Sequence, residues 1–223
     1  MSTTTTAPPL GIRDEVAALK RERTITAAVE LFYERGYENT TLDSVAERLG
    51  VTKPFIYAHF SSKSELLAEI CSRGIASALQ AMDSVLALDL PRTGKLAEFG
   101  RRFVTAVLES QKHIAIFARE EKNLLPQDFA RISNMRRDFD HKLAALLEEG
   151  NRSGEFRIAD PRLAALAIGG MVSWTYVWYR PKGRLALPDL AEEMSRLLLT
   201  MVGAQDVVAP AAKTRAKPSA KRQ

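Results

Sequence analysis

Apolar residues recur at three- and four-residue steps along almost the whole chain, and this pattern restricts the fold more than any other feature. A clear example is the run Ile25, Ala28, Val29 and Phe32, which would lie on one face of a helix. Strand-like alternation of apolar and polar residues is hard to find. The pattern predicts an all-α chain of about nine helices. Its 223 residues are enough to bury a core without disulfides or zinc.

Cap and break signals divide this pattern into separate helices. Gly36 supplies a stop for the first helix, and Thr40 and Thr41 supply hydroxyl caps for the second. Pro126 and Pro161 occupy first-turn positions, where the missing amide costs nothing. The helices are predicted over residues 13–35, 41–49, a short stretch after Thr52, 62–88, 94–111, 113–122, 126–150, 161–179 and a last one from 188.

The most informative segment spans residues 40–67, where two short helices flank Gly50. Helices this short bury too little surface to be stable alone, so they must pack on the first and fourth helices. We expect Val45, Ala46 and Leu49 to meet Phe32, Ile56 and Phe60 in a small core. The N-terminal side of the third helix then projects outward, as it does in a DNA-reading helix.

Several residues of this segment resemble the DNA-binding domain of the TetR family of bacterial regulators. They are the glycine turn, the Thr52-Lys53-Pro54 opening, Tyr57, the His59-Phe60 pair and Lys63. The resemblance covers roughly residues 20–67 without a gap. It implies an N-terminal helix-turn-helix domain and a C-terminal helical domain that binds a ligand and forms a dimer. Residues 178–181 also resemble members that control fatty-acid, sterol or aromatic-acid breakdown and respond to acyl-CoA thioesters.

These observations predict four segments. They are a disordered leader over residues 1–12, the helix-turn-helix domain over 13–65, the ligand-binding and dimerisation domain over 66–203, and a disordered basic tail over 204–223.

Donor side chains around the third helix are predicted to bind DNA. Short or rigid donors suit phosphate oxygens, and the family uses matching positions in that way. Lys53 can reach guanine acceptors, whereas Pro54 and Phe55 offer only apolar contact, which we expect to be with a thymine methyl. An alternative for Phe55 is that its ring folds back onto the second helix. The predicted DNA-binding residues are Thr41, Thr52, Lys53, Pro54, Phe55, Tyr57, His59 and Lys63.

Large side chains in the second domain are predicted to line an effector pocket, although each of them can also simply fill the core. Trp174 and Trp178 lie four residues apart with Gly170 one turn earlier, so we rank them as the first candidates for the wall. The resemblance implies an acyl, sterol or aromatic-acid effector, free or as a CoA thioester. The predicted lining is Phe99, Phe103, Phe117, Met135, Phe139, Met171, Trp174 and Trp178.

The predicted helix over 161–179 is apolar on all sides, which a surface helix of a monomer is not. Pairing it and the last helix with a symmetry mate predicts a homodimer and a pseudo-palindromic operator. The predicted interface consists of Ile168, Val172, Thr175, Tyr176, Leu197, Leu198 and Met201.

The favoured interpretation is a homodimeric, ligand-released repressor. One alternative is an all-α enzyme or carrier that binds an acyl thioester or lipid, with a fortuitous helix-turn-helix; another is a DNA-binding structural protein without an effector.

Asp138 and His141 are interpreted as a solvated helix face, and we predict no catalytic site, metal or cofactor. The uncharged stretch 163–179 is at the short limit for a membrane span and is interpreted as a buried helix. The first ten residues have no signal-peptide pattern, so we expect a cytoplasmic protein.

The net charge of +5 is unevenly distributed. Residues 1–65 hold eight basic and nine acidic side chains, whereas residues 204–223 hold five and one. Most of the excess positive charge therefore lies in the tail and says little about specific DNA binding. Whether that tail adds salt-sensitive affinity for DNA of any sequence stays open.

Overall fold

The computed structural model describes residues 11–204, and every regular element in that range is helical. The predictions for residues 1–10 and 205–223 lie outside the described residues. The α-helices are α1 (Ile12–Arg35), α2 (Leu42–Leu49), α3 (Lys53–Tyr57), α4 (Lys63–Leu86), α5 (Arg92–Glu109), α6 (Gln111–Glu120), α7 (Pro126–Arg152), α8 (Pro161–Ser173), α9 (Thr175–Trp178) and α10 (Leu187–Met201), with a 3₁₀ turn at Glu121–Asn123.

The predicted all-α fold is confirmed, with one difference in the helix pattern. The helix predicted over 161–179 is two helices, because α8 ends at Ser173 and α9 begins at Thr175. The Thr175 hydroxyl donates to the carbonyl of Val172 at 2.7 Å, a local bond of the kind that bends helices. The remaining predicted helices lie within a few residues of the observed ones.

Local signals fix the ends of the helices that position the N-terminal site. The Thr41 hydroxyl accepts from the Ser44 amide at 3.1 Å, and the Ser44 hydroxyl accepts from the Thr41 amide at 3.0 Å. Gly50 ends α2 with φ 66°, a left-handed conformation that favours glycine. Ser62 caps α4 by accepting from the Glu65 amide at 3.1 Å. These contacts set the angle between α2 and α3 and the start of α4.

Two hydrophobic clusters make up the core. The N-terminal core joins α1–α3 to the first half of α4 and includes the predicted contacts of Val45 and Ala46 with Phe32, Ile56 and Phe60; Leu49 is half-buried against it. The C-terminal core joins the second half of α4 to α5, α7, α8 and α10. Helices α6 and α7 also contribute to the N-terminal core. The division at residue 65 falls just inside α4 and stays a prediction.

Gly150 lies so close to Phe156 that it cannot carry a side chain. A Cβ at Gly150 would lie 2.1 Å from the Phe156 ring, which is itself fully buried. We expect Gly150→Ala to lower the free energy of unfolding by about 3 kcal/mol, because the ring must move within a packed core. Urea denaturation measures this change. Gly170→Ala is the control, since its Cβ would meet nothing within 4 Å, and an equal loss in both variants would contradict the steric explanation.

Candidate DNA-binding surface and effector cavity

The exposed face of α3 is formed by the residues that the sequence predicted. Ile56 points into the N-terminal core with none of its surface exposed, whereas Thr52, Lys53, Pro54 and Tyr57 are exposed. Because α3 has only five residues, these side chains form one compact patch next to the N-terminus of α4. The structure therefore places a small polar and aromatic surface where a DNA groove can reach it. Contact with DNA itself stays a prediction for each residue.

Lys53 forms an ion pair across the helix-turn-helix. Its ammonium lies 2.6 Å from the carboxylate of Asp43 on α2, and both side chains are exposed. The hydrogen bond to Asp43 raises the pKa of Lys53, so the lysine remains charged at neutral pH. An ammonium has three donors, and Asp43 occupies one of them. Lys53 can therefore still donate to a base edge from its paired position.

Phe55 and His59 are half-buried and contact each other. Their ring centroids are 5.6 Å apart in an edge-on arrangement, and the Lys20 ammonium lies 5.6 Å from the centroid of the Phe55 ring. Phe55 also packs against the N-terminal core. These contacts are with His59, with Lys20 of α1 and with the N-terminal core, so both the fold-back of Phe55 onto the second helix and its contact with a base edge stay predictions.

The side chains that are predicted to donate hydrogen bonds to DNA phosphates differ in the bonds that they make within the protein. The Thr41 hydroxyl caps α2, whereas the Thr52 side chain makes no capping bond to α3. The Lys63 ammonium donates to the carbonyl of Tyr37 at 2.9 Å and lies 4.1 Å from the centroid of the Tyr37 ring. No sequence signal selects Tyr37 as its partner, because Tyr37 lies 26 residues before Lys63.

A cavity of about 350 Å³ lies between the two hydrophobic cores. Cys71, Phe117 and Ile132 in its wall belong to the N-terminal core, whereas Phe103 and Phe139 belong to the C-terminal core. The wall is mostly apolar and draws on α4, α5, α6, α7 and α8. The lining consists of Cys71, Gly74, Ile75, Ala78, Phe103, Val107, Ile114, Phe117, Ile132, Arg136, Phe139, Asp140, Leu166, Gly169, Gly170 and Ser173.

Only part of the predicted lining reaches this cavity. Phe103, Phe117 and Phe139 line it, whereas Phe99 lies in the C-terminal core and Met135 and Met171 are half-buried elsewhere. The side chains of Trp174 and Trp178, ranked first from the sequence, are 59% and 48% exposed and do not line it. The α4 residues of the wall and Ile114 of α6 were missed, because their apolar stripes look the same as ordinary core stripes.

The polar groups of the wall are few. The Arg136 guanidinium stacks 4.5 Å from the centroid of the Phe117 ring, which holds this cation at the edge of the cavity. Burial raises the pKa of Asp140, and Arg136 and His141 partly oppose that increase. Burial also raises the pKa of the Cys71 thiol to about 12, so the thiol is neutral. The cavity therefore suits an apolar body with one polar or anionic end.

The structure corrects the face of α8 that was predicted to meet a partner. Ile168, Val172, Thr175 and Leu198 are fully buried within the chain itself, so their side chains are not accessible to a second copy. Tyr176 is half-buried, and Leu197 and Met201 are exposed. Because α8 is apolar on all sides, its periodicity could not tell which face points inward. The large exposed apolar residues of this region are Leu163, Leu166, Trp174, Val177, Trp178, Leu197 and Met201.

Helix α6 connects the cavity to the N-terminal domain. Lys112 forms an ion pair with Glu30 of α1, and the guanidinium of Arg119 donates to the carbonyl oxygens of Phe32 and Tyr33 near the end of α1. The same helix contributes Ile114 and Phe117 to the cavity wall. Helix α6 therefore contacts both the cavity and α1.

Family models match most of the described chain. The model of bacterial regulatory proteins of the tetR family matches residues 25–70, and the model of the tetracyclin repressor-like C-terminal domain matches residues 89–202. The chain belongs to the TetR family. It is a ligand-responsive, DNA-binding transcriptional regulator, as the sequence predicted.

Individual relatives agree with this assignment. The HTH-type transcriptional repressor KstR2 of Rhodococcus jostii (strain RHA1) is 26% identical over 182 residues, which are 81% of this chain and 89% of that protein. The fatty acid metabolism regulator protein of Bacillus subtilis (strain 168) is 25% identical over 180 residues, 79% of this chain and 92% of that protein. The crystal structure of the TetR family transcriptional regulator PfmR from Thermus thermophilus has a TM-score of 0.72 at 28% identity, and the match covers 82% of this chain and 99% of that one. Within residues 11–204, no helix of this TetR-family protein is long and apolar enough to cross a membrane.

Proposed function

We propose that this TetR-family protein is a homodimeric repressor, acting in the cytoplasm, that leaves its operator when a small apolar effector enters the cavity. The observation that carries the proposal is the position of the cavity between the two hydrophobic cores. A ligand there contacts both the effector domain and the elements that hold the DNA-reading helix. The relatives are regulators rather than enzymes, which favours this function over the alternative of an acyl-binding enzyme or carrier.

The coupling runs along α4, which is a single continuous helix. Lys63 lies in its first turn, and Gly74 and Ala78 line the cavity further along. At 1.5 Å per residue, Lys63 and Gly74 are about 16 Å apart along the helix axis. A ligand that changes the position of α4 at the cavity also moves Lys63 and the adjacent α3. Such a ligand releases DNA only to the extent that it binds the DNA-free arrangement more tightly.

The size and the chemistry of the cavity restrict the class of effector that can bind there. A volume of about 350 Å³ lies at the lower end of the range of about 300–1,000 Å³ that is usual for ligand pockets. We infer a compact acyl or aromatic group whose polar or anionic end meets Arg136. A fatty acid, an aromatic acid, a sterol side-chain acid or the corresponding CoA thioester has this form. The Bacillus subtilis relative is named for fatty acid metabolism, which supports the acyl interpretation.

The test is release of an operator duplex, obtained by in vitro selection with the purified protein. Fluorescence anisotropy would follow the labelled duplex while octanoate, octanoyl-CoA, benzoate and benzoyl-CoA are added separately. We expect at least one of these compounds to weaken binding about tenfold or more, a typical coupling. The variant Phe103→Trp, which fills the cavity, is expected to abolish the response. Release that persists in this variant would place the effector elsewhere.

The homodimer is proposed to form through the exposed apolar residues of α8–α10. Leu163 of α8 is 63% exposed, and Leu197 and Met201 of α10 are 50% and 47% exposed. Two-fold symmetry would bring copies of this surface together. We expect Leu163→Glu with Leu197→Glu to raise the dimer dissociation constant at least 100-fold, because burying four unpaired carboxylates is costly. Sedimentation velocity measures this change.

A matched control is available on α1. Leu19 is 62% exposed, close to the value for Leu163, but it lies far from α8–α10 in the chain. Leu19→Glu should leave the protein dimeric. A dimer that survives the Leu163 and Leu197 substitutions would place the interface on another surface.

A further inference from the structure

We propose that Glu120 and Tyr37 are positioning residues that connect the wall of the effector cavity to Lys63. The proposal rests on the function proposed above and on the predicted contact of Lys63 with a DNA phosphate. Neither residue touches DNA or ligand in this account. Their role is to hold the ammonium of Lys63 in place and to transmit a movement of α6 to it.

The first step joins the cavity to Glu120. Phe117 lines the cavity, and Glu120 lies one turn further along the same helix, α6. The Glu120 side chain is only 8% exposed, although it carries a carboxylate. Its oxygens accept from Arg119 at 2.9 Å and from Asn123 at 3.0 Å. A buried, fully bonded carboxylate moves with its helix, because breaking its bonds leaves an unpaired charge.

The second step joins Glu120 to Tyr37. The amide of Tyr37 donates to the Glu120 carboxylate at 3.2 Å, and this bond is buried. It links residues 83 positions apart, across the boundary between α6 and the turn after α1. A buried amide without an acceptor is costly, so the turn that holds Tyr37 must follow Glu120.

The third step joins Tyr37 to Lys63 through two groups of Tyr37, its carbonyl and its ring, and to the adjacent Ser64 through its hydroxyl. The Tyr37 carbonyl accepts from the Lys63 ammonium at 2.9 Å, and the centroid of the Tyr37 ring lies 4.1 Å from that ammonium. The Tyr37 hydroxyl lies 3.2 Å from the Ser64 hydroxyl. Tyr37 thus fixes the direction of the Lys63 side chain and leaves two of its donors for phosphate. A shift of α6 at Phe117 therefore reaches the lysine through two residues.

The test is the salt dependence of binding to a 30-bp duplex of random sequence. Each phosphate neutralised by a cation contributes about 0.9 to the slope of log affinity against log salt. Lys63→Met removes one such contact from each protomer, so the slope of the dimer should fall by about 1.8. Between 50 and 200 mM salt this makes the loss of affinity about 12-fold smaller than in the wild type.

Glu120→Ala should reduce the slope by the same amount, and adding it to Lys63→Met should change the slope no further. Glu120→Gln keeps an acceptor for the Tyr37 amide and should retain the wild-type slope. Glu121→Ala is the matched control, because Glu121 is the next residue and is exposed. A purely structural role for Glu120 would lower the melting temperature without changing the slope, and that result would overturn the proposal. An unchanged slope in Lys63→Met would instead refute the phosphate contact of the proposed function.

A second measurement uses the wild-type protein and does not depend on folding of Glu120→Ala. Coupling between sites is reciprocal, so DNA binding at Lys63 must change the local environment of Glu120. Adding the random duplex should shift the NMR resonances of the Tyr37 amide and of the Glu120 side-chain carboxyl. Both shifts should disappear in Lys63→Met, while the Tyr57 amide still responds. A Tyr37 amide that does not move in the wild type would contradict the connection.

Discussion

Replacing Tyr57 and Lys63 together by Ala should weaken binding to the operator and to random DNA by the same factor, on the order of 100-fold at 0.1 M salt. A dimer loses four phosphate contacts in this variant, and a 100-fold loss is about 2.8 kcal/mol, or about 0.7 kcal/mol per contact, within the usual net contribution of a hydrogen bond. Phosphate contacts carry no sequence information, so specificity should not change. Tyr57 is 54% exposed, so folding and dimerisation should be unaffected. Anisotropy titrations with both duplexes measure the two affinities.

Lys53 lies in α3 with Tyr57, but Lys53→Ala should affect the operator and random DNA differently. Lys53 is predicted to reach a base edge, and a good base contact contributes about 1–3 kcal/mol of discrimination. We expect the operator to be weakened about tenfold while random DNA changes much less. Equal losses on both duplexes would show that Lys53 contacts phosphate. Unchanged affinities in the Tyr57 and Lys63 variant would remove the phosphate assignment altogether.

The helix-turn-helix could be predicted from sequence because its determinants are local. The Thr41 cap, the left-handed Gly50 and the buried faces of α2 and α3 depend on residues within a few positions of one another. Ordinary propensities and patterns therefore specify each short helix, and the N-terminal core follows from their packing.

The effector domain was less predictable because its site depends on contacts between distant residues. Trp174 and Trp178 are large enough to suggest a pocket wall, yet they lie on the surface. The cavity instead forms among α4, α5, α6, α7 and α8, and the apolar stripes of these helices carry no signal that separates a cavity wall from core. The hydrogen bond between Tyr37 and Glu120 joins residues that are 83 positions apart, so no local sequence pattern predicts it.

Replacing Gly74 by Ala should reproduce the effect of an effector without any ligand. A Cβ at Gly74 would lie 2.9 Å from Cγ1 of Ile114, and both residues line the cavity. The added methyl must therefore push α4 away from α6 or displace Ile114. We expect operator affinity to fall about tenfold, within the usual range of coupling between two sites. The dimer and its helical content should be preserved.

Two controls distinguish the steric effect of the added methyl group from a general loss of stability. Gly170 also lines the cavity, but a Cβ there meets nothing within 4 Å, so Gly170→Ala should bind the operator as the wild type does. Ile114→Ala removes the atoms that the new methyl would strike. It should leave operator affinity nearly unchanged by itself.

The central claim is that the spacing of α4 and α6 at the cavity controls DNA binding, and the double variant Gly74→Ala with Ile114→Ala tests it most directly. Its operator affinity should be measured beside those of Gly74→Ala and the wild type, under one set of salt conditions. The account predicts that the second substitution restores affinity to within about twofold of the wild type, because the effects of contacting residues are not additive. An affinity of the double variant as low as that of Gly74→Ala, or lower, would contradict it.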